Sequence, residues 1–131
     1  MAQGKIRERH FKDACADYIG RISHYLPIEV REVERLAAPP PRHLCVALDA
    51  GGQEPSSDEF ARWLGKQLGS GKQGITFLLG GADGLPAPLQ EAAHERLSLS
   101  RLTMAHRLAR VVLLEQIYRA MTILRGDPYH R

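Results

Sequence analysis

Between Leu108 and Leu114 the chain reads LARVVLL, apolar almost all the way round a helix, and the helical pattern extends from about Ala105 to Leu124. A helix with so little polar face must be covered on more than one side. In a chain of 131 residues, enough for one domain with a single core, a second copy of the chain is the expected second cover. Gly126 and Pro128 end the helix in the order usual at a C-terminus. Beyond them Tyr129, His130 and Arg131 form an exposed tail with no core to serve.

Composition narrows the class. A hydrophobic fraction of 44% with 25% charged residues is ordinary for a soluble globular protein. No apolar run approaches the ~20 residues that span a bilayer, so no membrane segment is expected. MAQGKIRERH lacks the apolar centre of a signal peptide, which makes the cytoplasm the expected compartment. Cys15 and Cys45 both sit in apolar patterns and read as buried thiols in a reducing compartment. A formal charge of +3 permits a polyanionic partner without requiring one.

Along the chain, Phe11, Ala14, Cys15, Tyr18, Ile22 and Tyr25 recur at helical spacing, and Pro27 supplies a stop. Ile28, Val30 and Val33 alternate as a short strand would, and Ala37 to Pro41 is a stiff proline connector. His43 to Leu48 reads as a strand covered on both faces, ended by Asp49-Ala50-Gly51-Gly52. Ser56 and Glu59 match a capping box ahead of a helix carrying Phe60, Trp63, Leu64 and Leu68 on one face. Ile75 to Leu79 reads as a second buried strand, Ala87 to Arg96 as a helix with proline in its first turn, and Leu97 and Leu99 as strand. This alternation predicts an α/β fold with a mainly parallel sheet flanked by helices, in one domain spanning 1–131.

In such a sheet ligands sit beyond the C-terminal strand ends. Three are visible: Leu48 to Gly51, Gly80 to Gly84, and Ser98 to Met104, all rich in small or polar residues. The glycine loop is neither a Walker loop nor a dinucleotide fingerprint, so alone it fits a tight turn as well as a ligand. The six histidines include no metal-like pair on one helical face, and no metal is expected. Glu115 and Arg119 read as an ion pair within a helix. His106 and Arg110 are also four apart at a helix start, where composition alone would leave the histidine as a solvated or capping residue.

Read together, GKIRERHFKDACADYIGRI, VALDAGG with SSDEF, FLLGGADGL, and LSLSRLTMAHRLARVVLLEQIYRA with LRGDPYHR resemble the ribosomal RNA large subunit methyltransferase H family, of the SPOUT class. The resemblance implies a homodimer whose C-terminal portion forms a trefoil knot, a rare exception to the usual topology rules. It implies S-adenosyl-L-methionine as cofactor. The implied reaction is methylation of N3 of a pseudouridine in 23S ribosomal RNA of the large subunit, on the assembled 70S ribosome. Carried over by motif, the cofactor residues are Leu48, Gly80, Leu99, Ser100, Arg101, Leu102, Thr103 and Met104. The catalytic candidates are His106, Tyr129, His130 and Arg131. By the same resemblance, Arg101, Arg110 and Arg131 are candidates for RNA phosphates, and Tyr129 for stacking on a base.

Two departures stand out. Only Met1-Ala2-Gln3 remains of an apolar strand the family carries before its Gly-Lys, and only Arg35 to Arg42 stands where it has a further helix. A lost strand predicts an exposed apolar edge or a gap in the core. A rival reading follows: a shortened relative that keeps the knotted dimer and binds cofactor or RNA without turnover. A smaller departure is Ala105, where the family commonly has proline.

Overall fold

The structure is a computed structural model and describes residues 1–130. Its elements run β1 (Ala2–Gln3), α1 (Arg9–Ile22), β2 (Glu32–Val33), β3 (His43–Gln53), α2 (Ser57–Leu68), β4 (Gly74–Leu78), α3 (Ala87–Ala92), β5 (Glu95–Leu97) and α4 (His106–Arg125). Every strand pairing is parallel: β3 lies between β4 and β5, and β1 pairs with β2. A parallel bridge from Ala2 to Leu79 joins the two groups, so the order across is β2-β1-β4-β3-β5. The α/β architecture and parallel sheet are those expected.

Met1 to Gln3 is itself the strand that was expected to be missing. Gln3 N–H donates to the Leu79 carbonyl at 3.0 Å, and Leu79 N–H donates back to Met1 at 2.9 Å. Ala2 and the following Ile6 are buried. Three residues close the edge because their backbone, rather than a long apolar run, fills the slot between β2 and β4.

Other boundaries shift for physical reasons. Ile28 and Val30 precede β2 and pack on the core without pairing, because register begins only at Glu32. β3 runs through Gly51 and Gly52 to Gln53, and Leu97 pairs with both Leu48 and Gln53 across the irregularity. Gly52 is held there by contact: a Cβ would lie 2.7 Å from the Arg96 carbonyl carbon. Helix α3 stops at Ala92, because Ala93 is extended and His94 N–H bonds to Cys45. Leu99 lies beyond β5.

The capping box at α2 is present in full, with Ser56 Oγ accepting from Glu59 N–H and the Glu59 carboxylate accepting from Ser56 N–H. Phe60 and Leu64 are buried, but Leu68 is exposed. Helix α4 packs against both α1 and α2. The Gly65 position lies so close that a Cβ would stand 2.9 Å from Leu124. Two helices of the same chain thus cover much of α4, while Leu108 and Leu124 remain exposed large apolar side chains on it. Gly126, at φ +74°, caps α4 in a Schellman arrangement, with Asp127 N–H bonding to Thr122. Cys15 and Cys45 are free and buried, and burial pushes both thiols upward in pKa.

Arg110 corrects another expectation. It is buried, and its guanidinium donates to Glu32 Oε2 at 2.5 Å and to the Gly4 carbonyl at 3.1 Å. It is therefore structural, with no free face for an RNA phosphate. The hydrogen bond from Arg110, then that from Ile6 N–H, holds the Glu32 carboxyl below the usual range. A lowered native pKa stabilises the fold above the ordinary carboxylate range and loses that contribution as pH falls. Glu32→Gln should cost about 1–2 kcal/mol at neutral pH, because Glu32 is partly exposed. It should also flatten the acid side of the stability curve. Urea melts from pH 3 to 7 check both, and an unchanged acid slope would contradict the pairing.

Candidate functional site

Because β4, β3 and β5 are parallel neighbours, their C-terminal ends open on the same side of the sheet. A cavity of about 230 Å³ lies there. Its wall takes Leu48 and Asp49 from β3, Gly80, Gly81 and Gly84 after β4, Leu97 at the end of β5, Leu99 to Met104 after it with Arg101 absent, and His106 and Ala109 from α4. Three segments far apart in sequence therefore share one wall. Of the eight residues carried over for cofactor binding, Leu48, Gly80, Leu99, Ser100, Leu102, Thr103 and Met104 line it. The Arg101 side chain is largely in solvent and reaches toward Glu54 at 3.9 Å.

Local chemistry shapes each loop. Gly84 N–H closes a turn onto Gly81 at 3.0 Å. A Cβ on Gly80 would stand 2.4 Å from the Gly84 carbonyl carbon, so only glycine fits. Ser100 Oγ accepts from Leu102 N–H at 2.9 Å and the buried Ser98 Oγ donates to the Ser100 carbonyl at 3.0 Å, which folds the third loop on itself. The Asp49 carboxylate accepts from Gly51 N–H and from Arg96. Helix α4 starts at the cavity without a side-chain cap on Ala105, leaving backbone donors of its first turn suited to a ligand's negative charge.

Of the catalytic candidates, His106 is on the cavity wall. Tyr129 and His130 are not. Tyr129 OH donates to Glu115 Oε1 at 3.1 Å, and Arg119, its guanidinium over the Tyr129 ring, bonds His130 Nδ1 at 3.1 Å. Their anchors lie nine and thirteen residues past His106, about 14–20 Å along the helix. Glu115 and Arg119 form the expected ion pair, at 2.6 Å. Burial first, then hydrogen bonding with Tyr18 and Glu115, keeps the Tyr129 phenol well above its usual range. Arg131 lies outside the described residues.

The cavity also uses residues not singled out from sequence. Asp49 and Gly81 were visible only as members of their loops. Leu79, Leu85 and Ala109 carried no signal beyond their apolar character. Among the described residues no cluster of His, Cys, Asp or Glu could hold a metal, and no helix is long and apolar enough to cross a membrane.

Residues 1–130 match the sequence family described as "Predicted SPOUT methyltransferase". A protein of Gemmatimonas aurantiaca named ribosomal RNA large subunit methyltransferase H is 42% identical over 98% of this chain and 95% of its own length. Like-named proteins of Sorangium cellulosum (40%, covering 98% and 94%) and Carboxydothermus hydrogenoformans (37%, covering 100% and 97%) match as fully. The chain belongs to the ribosomal RNA large subunit methyltransferase H family of SPOUT methyltransferases. In members of this family the strand-end glycines are open to direct test. Gly80→Ala should destabilise by about 1–3 kcal/mol through overpacking, whereas Gly81→Ala, whose Cβ meets only ordinary contacts at 3.7 Å, should be near neutral. Thermal unfolding of the two variants separates them, and equal effects would contradict the loop geometry.

Proposed function

We propose that this chain, acting as a single domain in a knotted homodimer, transfers a methyl group from S-adenosyl-L-methionine to N3 of a pseudouridine in 23S ribosomal RNA, on assembled ribosomes in the cytoplasm. The observation that carries the reading is the cavity where three strand-end loops meet, in a chain whose relatives are named for methylation of large-subunit ribosomal RNA. The site's chemistry suits the cofactor. Leu48, Leu97, Leu99 and Met104 offer apolar surface for a purine, and Asp49, Ser100 and Thr103 offer polar groups for a ribose. Gly80 lets backbone approach closely, and the first turn of α4 favours a carboxylate.

When bound, the cofactor supplies an already activated methyl group, so the protein's task is alignment and proton handling. N3 must lose its proton as it gains the methyl. An imidazole is suited to accept that proton near neutral pH, which assigns the role to His106 at the cavity or to His130 arriving from a partner subunit. Tyr129, held protonated, donates a hydrogen bond or stacks on the base. Arg131 pairs with phosphate or with charge developing on the base. Because Tyr129 and His130 lie off their own chain's cavity, a tail working on the partner's cavity reconciles the two halves of the site.

Mixed dimers test this. Thr103→Trp fills the cavity from an exposed position, and His130→Ala removes the tail imidazole. Each homodimer should lose methylation of ribosomes lacking the modification, His130→Ala by roughly 10²–10⁴-fold. A dimer of one variant with the other should regain one working site. Two silent homodimers and a silent mixed dimer would refute the shared site, and an unmodified chain inactive on such ribosomes would refute the reaction.

A further inference from the structure

The formal charge of +3 is not spread over the chain. Residues 5–12, KIRERHFK, place Lys5, Arg7, Arg9 and Lys12 against the single carboxylate of Glu8, so this segment carries the whole net charge and the rest balances. All four cations are exposed, whereas Glu8 is turned onto Arg107. Of the four, only Arg9 forms an ion pair among the described residues, with Asp13 at 4.0 Å and both side chains in solvent. Such a pair contributes little and yields readily to another anion.

The segment is pinned beside the cavity at both ends. Before it, the Gln3 side chain packs 3.7 Å from the Cβ position of Gly81 on the cavity wall, and Gly4 is held by Arg110. After Ile6, which is buried, Glu8 closes on Arg107, the neighbour of His106. Lys5 and Arg7 stand on either side of buried Ile6, and Arg9 and Lys12 continue along one face of α1. The result is a row of exposed cations leading away from the cavity mouth, only Arg9 of them in a weak solvent-exposed pair among the described residues, and two of them guanidinium forks matched to phosphate oxygens.

We infer that Lys5, Arg7, Arg9 and Lys12 form a phosphate-gripping strip that holds the RNA strand flanking the base presented to the cavity. The inference rests on the RNA methylation reading and adds the surface that recognises the substrate's backbone. The strip reads charge, not sequence, so it contributes affinity and register, while the cavity and tail select the base.

The test is a salt series of fluorescence anisotropy with a single-stranded RNA oligonucleotide. It compares the unmodified protein, a variant with all four strip residues changed to Gln, and a control with exposed Arg62, Lys66 and Lys72 changed to Gln. Each lost phosphate contact lowers the slope of log affinity against log salt by ~0.7 on single strands, so the strip variant should lose about 3 units and bind at least roughly tenfold more weakly. Its KM for ribosomes should rise by a similar factor with kcat nearly unchanged, and calorimetry should show unchanged cofactor affinity. The control should keep slope and KM. A strip variant with the original slope, or a control that loses as much, would overturn the inference. If the unmodified protein shows a strip-dependent slope yet transfers no methyl, the reaction falls and the strip stands. If it methylates while the strip variant retains slope and KM, the strip falls and the reaction stands.

Discussion

The Arg110 guanidinium, its side chain only 7% exposed, joins three parts of the chain that share no sequence neighbourhood. From α4 it reaches Glu32 on β2 and the carbonyl of Gly4, between β1 and α1. Glu32 Oε2 in turn accepts from Ile6 N–H at 3.0 Å. A buried cation is tolerable only with such partners, so α4 is fixed in register against the sheet edge and the start of α1 together. The two-residue strand β1 persists in this setting, clamped by backbone bonds on both sides and by a charge pair at its end.

That register makes α1 and α4 run the same way. Glu8 and Arg107 meet where the helices begin, Tyr18 lies beside Tyr118 midway, and Tyr25 meets Asp127 where they end. Both helix N-termini, with their positive partial charge, therefore lie at the cavity end, together with the basic segment that enters α1. At the far end the hydrogen bond to Asp127 pushes the Tyr25 phenol up to about 12, which keeps it a neutral donor. One end of the molecule thus gathers two helix N-termini and the basic segment, and the other is closed by phenol–carboxylate contacts.

Much of this was legible because it is local. Ser56 and Glu59 announce the start of α2, Gly126 and Pro128 the end of α4, and the run of β3 its burial. Ile75 and Phe77 of β4, read as covered on both faces, are only partly buried. Parallel alternation then forces strand-end loops together, which is why the cavity loops could be named before their geometry was seen. Long-range pairing was not legible. Arg110 sits in an apolar helix and reads as a residue facing solvent, yet its partner Glu32 is 78 positions away. Gly51 and Gly52 read as a strand end, but β5 lies against their backbone and keeps β3 extended. The apolar girth of α4 was read as double cover, and α1 and α2 provide part of it within the chain while Leu108 stays exposed.

His106 and His130 differ in which ring nitrogens are free. Arginine has no acceptor, so the contact between Arg119 and His130 Nδ1 makes that nitrogen the acceptor, and a neutral ring then carries its proton on Nε2, 3.6 Å from Asp58. In that pose His130 has no free lone pair to take a proton from a substrate. Among the described residues the His106 ring makes no hydrogen bond, and it already faces the cavity. Tyr129 shares the tail's anchorage through Glu115 and Arg119. A tail that served as proton acceptor would first have to leave Arg119, coupling the unlatching of this segment to arrival of an anionic partner able to compete for the guanidinium.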